Sequence, residues 1–229
     1  MKTKRSYTDE SRPGSAAGSD LAHSETERQA LRKQIRREMT GKRQSITRRR
    51  EKEQAILRRL APFVKGKTVA AYHAIGQEAD ILQDDWLLPL TNPTDHSLRF
   101  GTGRLQPGPY GIMEPDPDTA KFVEPEDIDV ILVPMVAFDG LHRLGYGGGY
   151  YDRFLPRTKA LKIGIAFREQ AARFPVSAWD VDMDMVITDT GILTGDYNET
   201  DIRRTAEGAQ EYANHLQATG TRTELGEET

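Results

Sequence analysis

Ile128-Asp-Val-Ile-Leu-Val-Pro-Met-Val136 is an almost unbroken apolar run rich in β-branched residues, and it predicts a strand buried on both faces. A strand without a polar side does not suit a sheet with one face in water; it belongs to a parallel sheet held between two covering layers. Working outward, Thr68-Val-Ala-Ala-Tyr-His-Ala74 lies between Gly66 and Gly76 with the same short, β-prone character, and residues 162–167 and 186–188 add two further strands. Helical patches at 150–155 and 169–173 alternate with them. The expected fold is α/β: an open, mostly parallel sheet flanked by helices in three layers, Rossmann-like.

Ahead of the first strand, Leu31, Ile35 and Met39, then Ile56, Leu57 and Leu60, recur at helical spacing in a segment crowded with Arg and Lys. They predict two amphipathic helices, interrupted at Thr40-Gly41 and stopped by Pro62. Residues 92–127 are loaded with Pro, Gly and Asp; turns are expected there, with a short hairpin around Leu98-Arg99-Phe100. One α/β domain is expected over 24–194. Residues 1–23, rich in Ser, Gly and charge, read as a disordered extension, and 195–229 as a polar tail with one weak helix at 201–216.

Apolar residues are 37% of a 229-residue chain, enough for one core but tight for two. A formal charge of −3 argues against a surface built wholly for nucleic acid or anionic lipid. The basic segment 28–59 raises a nucleic-acid reading, but Glu27, Glu38, Glu51 and Glu53 dilute its field. With no cysteine, disulfides, thiolate nucleophiles and cysteine zinc sites are excluded. No apolar stretch reaches the length of a membrane span or signal peptide, so a cytoplasmic monomer acting on small molecules is expected, with no nucleic-acid or membrane partner.

The chemistry concentrates in Asp139-Gly-Leu-His-Arg143-Leu-Gly145-Tyr-Gly147-Gly-Gly149-Tyr-Tyr-Asp152, directly after the best strand. Glycines there permit close approach of phosphate oxygens to backbone N–H groups, and the following helix start favours negative charge. Arg143 can clamp a phosphate, and Asp152 can hold the magnesium that accompanies ATP. A tight turn is the plainer reading of glycines alone; the arginine, tyrosines and aspartate around them favour a phosphate site. The dinucleotide fingerprint fails because Tyr150 stands where a glycine is needed, and the P-loop fails for want of Gly-Lys-Ser/Thr.

Val133-Pro-Met-Val-Ala-Phe-Asp139 followed by Arg143-Leu-Gly-Tyr-Gly-Gly-Gly-Tyr-Tyr-Asp-Arg-Phe-Leu155 closely resembles the signature of the 5-formyltetrahydrofolate cyclo-ligases, also called 5,10-methenyltetrahydrofolate synthetases. Leu31-Arg32, Gln77-Glu78, Gly111-Ile-Met-Glu-Pro115, Gly164-Ile-Ala-Phe-Arg-Glu-Gln170, Pro175, Asp180 and Thr188 follow the same pattern, over roughly residues 25–193. The resemblance implies an ATP- and Mg2+-dependent ring closure of 5-formyltetrahydrofolate to 5,10-methenyltetrahydrofolate, with release of ADP and phosphate. It implies that Arg28, Arg32, Arg143, Leu144, Gly145, Tyr146, Gly147, Gly148, Gly149, Tyr150 and Tyr151 contact ATP, with Arg143 and Tyr151 closest to the chemistry. It further implies that His73, Glu78, Tyr146, Gly147, Gly148, Gly149 and Tyr150 contact the folate, and that Asp152 and Asp180 hold the metal.

Each assignment has a structural rival. Arg28 and Arg32 fit a solvated helix face, Glu78 a helix cap, and His73 a core position. Asp182 and Asp184 compete with Asp180 for the metal, and Trp179, Tyr72 and Tyr110 are aromatics that either stack on a pterin or fill the core. The chain is shorter than the family pattern between Glu78 and Gly111. Some relatives carry basic residues where Tyr146 and Gly148 stand, which shifts the load of phosphate neutralisation to Arg143 and the first helix. The shortening also motivates a second reading, a non-catalytic folate- or nucleotide-binding paralogue.

Overall fold

The computed structural model describes residues 24–195. The extension expected over 1–23 lies outside the described residues, as does the tail with its helix at 201–216. Two helices, α1 (Glu25–Gln44) and α2 (Arg49–Val64), lead into the edge strand β1 (Val69–Ala70). An antiparallel insertion follows: β2 (Leu88–Asn92), β3 (Ser97–Thr102), the pair β4 (Leu105–Pro107) and β5 (Met113–Pro115), and β6 (Lys121–Val123). Then come β7 (Val130–Pro134), the hairpin β8 (Ala137–Asp139) and β9 (His142–Leu144), α3 (Tyr150–Phe154), β10 (Leu161–Ile165), β11 (Met185–Ile187) and β12 (Ile192–Thr194).

The central sheet runs β1-β7-β10-β11-β12, parallel throughout except for the last strand. β7 is buried along its whole length, as its apolar run requires, and its side chains alternate between two cores. Val130 and Leu132 meet Ile56 and Leu60 of α2, whereas Ile131 and Val133 meet Phe100 and Phe154 on the opposite face. That second face is covered by α3 together with the β2-β3-β6 sheet, and Phe100 meets Phe154 edge to face at 4.9 Å.

Several boundaries differ from expectation for identifiable reasons. Ser24 and Glu27 form a capping box that starts α1, and the helix runs straight through Thr40-Gly41. Burial of Met39 and Arg43 on either side offsets the roughly 1 kcal/mol that an exposed glycine costs a helix. The break falls instead at Arg48, whose φ of +56° turns the chain. Pro62 does not stop α2, because Phe63 and Val64 beyond it still pack on the core. The first strand shortens from seven residues to two: Ala71 continues only by donating to the Leu87 carbonyl, and the chain then leaves the sheet. The hairpin around Leu98 forms as β2–β3, and the patch at 169–173 becomes a single 3-10 turn, Arg168–Gln170.

Candidate active site

The glycine loop does not spring from β7 itself. A hairpin intervenes, with Gly140 at φ +59° in its turn, and delivers Arg143 on β9 as a buried side chain. Arg143 Nη2 donates to Asp152 Oδ1 at 2.7 Å, and its guanidinium lies over the Tyr151 ring, while its Nε is buried without a hydrogen-bond partner. A Cβ at 145 would meet the Arg143 guanidinium, which Asp152 holds in place, and the φ of +99° at 147 favours glycine there. α3, which follows, has only five residues. Its macrodipole is correspondingly small, so positive charge at the loop comes from arginines rather than from a helix start.

Those arginines come from α1, which lies across the loop through Ile35 and Met39 packed on Val136, Ala137, Leu144 and Phe174. Arg32 grips Asp180 with both Nη atoms, at 2.5 and 2.8 Å, and also donates to the Pro175 carbonyl. One turn on, Arg36 Nε donates to the Gly145 carbonyl at 2.7 Å, and its guanidinium rests against Gly147. Burial and the neighbouring Arg32 and Arg143 lower the Arg36 pKa, whereas Asp180 and Asp152 act in the opposite direction. Arg32, Arg36, Arg143, Asp152 and Asp180 therefore form one charged constellation centred on Arg36.

A second polar cluster lies at the C-terminal end of α1. Glu78 is 4% exposed; its Oε2 accepts the Ile75 N–H at 2.8 Å and its Oε1 has no hydrogen-bond partner. Burial raises its pKa, a shift that the Tyr146 hydroxyl and Arg43 partly oppose. Arg43 Nη2 donates to the Tyr146 hydroxyl at 2.7 Å, and Arg49 Nη2 donates to the Glu78 carbonyl at 2.8 Å. Burial, reinforced by the Glu78 charge, pushes the phenols of Tyr72, Tyr146 and Tyr151 up. A buried carboxylate, unpaired on one oxygen and walled by phenols, can read paired N–H donors.

The family model for "5-formyltetrahydrofolate cyclo-ligase family" matches residues 22–189. The chain belongs to that family. A 5-formyltetrahydrofolate cyclo-ligase of Mycoplasma genitalium is 47% identical over 68 residues, 28% of this chain and 41% of that protein. That of Haemophilus influenzae is 28% identical over 176 residues, 66% of this chain and 94% of its own length. The solution structure of Aquifex aeolicus 5,10-methenyltetrahydrofolate synthetase superposes with a TM-score of 0.62 at 33% identity, covering 74% of this chain and 95% of that one. The match to the first of these spans less than half of that protein, and the other two are covered almost throughout.

Within this cyclo-ligase fold the residues singled out in the sequence separate by geometry. Arg32, Arg143, the loop from Leu144 to Tyr151, Asp152 and Asp180 converge. Arg28 is turned to Glu25 on its own helix, and His73 stands half-buried after β1 without a hydrogen bond. Asp182 is taken by His142 and Asp184 by Lys162 on β10, so of the three aspartates only Asp180 faces α1. Tyr72 is core, its hydroxyl donating to the Ala79 carbonyl, while Trp179 is 83% exposed beside Asp180.

Arg36, Arg43 and His96 escaped the sequence reading. His96, at φ +59° in the β2–β3 turn, contacts the Gly148 carbonyl through Nδ1 at 2.6 Å and stacks on Tyr150 at 5.0 Å. Helical spacing from Arg32 would have found Arg36; nothing local marks His96, because its partner is 52 residues away.

Among the described residues no group of three or more His, Cys, Asp or Glu side chains could hold a metal ion. Asp152 has only Oδ1 engaged, so the site suits a magnesium that arrives on nucleotide phosphates rather than one caged by protein alone. Among the described residues no helix is long and apolar enough to cross a membrane.

Proposed function

We propose that this chain catalyses the ATP- and Mg2+-dependent conversion of 5-formyltetrahydrofolate to 5,10-methenyltetrahydrofolate, with release of ADP and phosphate. The observation that carries the reading is the convergence of Arg32, Arg36, Arg143 and the glycine loop on one side of Tyr146, with the half-satisfied carboxylate of Glu78 on the other. The first side fits a triphosphate, the second the amino and ring N–H groups of a pterin, and Tyr146 to Tyr150 lie between them.

Amide oxygen is a poor leaving group. The formyl oxygen attacks the γ-phosphorus of ATP, the bond from that phosphorus to the bridging oxygen breaks, and ADP leaves. N10 then adds to the activated carbon; loss of phosphate and of the N10 proton completes the ring. The protein supplies alignment and charge rather than a nucleophile. Arg143, buried and already aimed by Asp152, neutralises the moving phosphoryl group. Tyr151 backs that guanidinium with its ring, and Leu144 to Tyr151 cradle the phosphates with Arg32 and Arg36 above them. Asp152, with one oxygen free, would hold the magnesium, which offsets phosphate charge when bound; Asp180, both of whose oxygens are engaged by Arg32 and Ser177, would hold Arg32 in place instead. Arg28, turned to Glu25, and His73, without a hydrogen bond, stand apart from this constellation and take no part in these steps. Both substrates are small and water-soluble, as suits a cytoplasmic enzyme working as a monomer.

The test is direct: purified protein, ATP, Mg2+ and 5-formyltetrahydrofolate should give the absorbance of methenyltetrahydrofolate, strictly dependent on ATP. Binding of the folate in calorimetry with no turnover at high protein concentration would instead identify a non-catalytic paralogue.

A further inference from the structure

Two opposite charges sit unsatisfied at the end of α1. Arg43 is 2% exposed, yet its Nε and Nη1 have no hydrogen-bond partner, and Glu78 Oε1 has none either. A buried polar atom left unpaired costs about 1–3 kcal/mol, so such groups are seldom left without a use. What separates them is the Tyr146 hydroxyl, bonded to Arg43 Nη2 and close enough to Glu78 to influence its ionisation. The Tyr146 ring also lies under the Arg43 guanidinium, 5.4 Å from its carbon. Tyr146 is 49% exposed and flanked by Gly145 and Gly147, so it is the member of the trio that can yield. The other two are fixed. Arg49 donates to the main-chain carbonyls of both Arg43 and Glu78 and stacks on Phe167, tying the helix end to the Glu78 loop.

We propose that Arg43 is a positioning residue for the folate, holding Tyr146 over Glu78 before substrate arrives and serving as the counter-charge of Glu78 once pterin N–H groups take the place of the tyrosine hydroxyl. This rests on the reading of Glu78 as the pterin acceptor. Arg43 touches neither ATP nor the reacting atoms; it acts through Glu78 and Tyr146. The other groups around the carboxyl are Tyr72 and Tyr151, with Asp80 beyond Tyr72, and none of them supplies a positive charge. Arg49 reaches only the main chain of Glu78.

Steady-state kinetics of R43M, R43K and E78Q with each substrate varied decide the matter. R43M is expected to raise KM for 5-formyltetrahydrofolate about tenfold, the scale of one charge-assisted hydrogen bond, with KM for ATP within about twofold of wild type. The acid limb of kcat/KM for the folate should move to higher pH in R43M and return in R43K, which should also recover most of the KM. A merely structural arginine would lower melting temperature without splitting the two KM values. If E78Q raises the folate KM and R43M does not, the inference is overturned while the Glu78 reading stands. If E78Q changes nothing, both fall. Should R43M fail to fold, R43Q, which keeps a donor but not the charge, decides: a folate KM raised several-fold with an unchanged ATP KM supports the role, and an unchanged folate KM overturns it.

Discussion

Arg32 on α1 and Asp180, 148 residues later, form a two-pronged ion pair with both side chains nearly withdrawn from water. It binds the first helix to the loop after β10, and it engages both oxygens of a carboxylate that the family resemblance would give to magnesium. Ser177 N–H and the Pro175 carbonyl add further hydrogen bonds, and Arg32 Nε is buried without a partner. Breaking a buried pair from one side leaves an uncompensated charge, which costs roughly 3–5 kcal/mol. D180A should therefore lower stability in urea by about 3 kcal/mol. The double variant R32M/D180A should lose less than the sum of the single losses. Additive losses in that cycle would show that the pair carries no coupling.

Asp152 is the carboxylate with an oxygen to spare. D152N keeps an acceptor for Arg143 and removes the charge, so the fold should survive while the Mg2+ concentration for half-maximal rate rises and kcat/KM for ATP falls about a hundredfold. A magnesium titration of turnover checks this, and an unchanged titration curve would remove Asp152 from the metal site.

His96 ties the antiparallel insertion to the glycine loop. Because the Gly148 carbonyl can only accept, Nδ1 must carry the proton. Losing that bond is worth about 1 kcal/mol, so H96A should raise KM for ATP about fivefold. H96N tolerates the positive φ and retains a donor, and should lie closer to wild type. Equal KM values for all three proteins would reduce the contact to packing.

Burial raises the pKa of Glu78 above its ordinary value of 4.5. With the folded pKa above the unfolded one, the native state holds the proton longer, and stability falls as pH rises from about 4.5 through the raised value. E78Q cannot ionise. Its melting temperature relative to wild type should climb across that window and level off above it, measured by calorimetry at several pH values. A flat difference would mean that the carboxyl is not strained by burial. In wild type the folate KM should fall over the same window, since only the ionised carboxylate accepts both pterin donors.

Much of the architecture is legible one residue at a time. The alternation of Val130 to Val133 between two cores follows from a run with no polar face, and the glycines at 145 and 147 announce a loop that something must approach closely. The errors share a physical origin. Thr40-Gly41 and Pro62 are breakers whose local cost is outweighed by packing in the flanking turns. The β8–β9 hairpin hides because the segment from Asp139 reads as the start of the glycine loop, whereas Ala137 to Asp139 pairs back on His142 to Leu144 across a turn at Gly140.

Residue order alone specifies the buried central strand, the glycine loop behind it and the signature that places the chain among the cyclo-ligases, because those properties are carried by contiguous side chains and their spacing. Which groups meet does not follow from order. That Arg32 faces Asp180 rather than Asp182 or Asp184, that Arg36 and His96 hold the loop, and that Arg43 and Glu78 lie unsatisfied on either side of Tyr146 are settled only when α1 folds across the end of the sheet. Long side chains reach partners a hundred residues distant, and no local pattern encodes the direction in which they point.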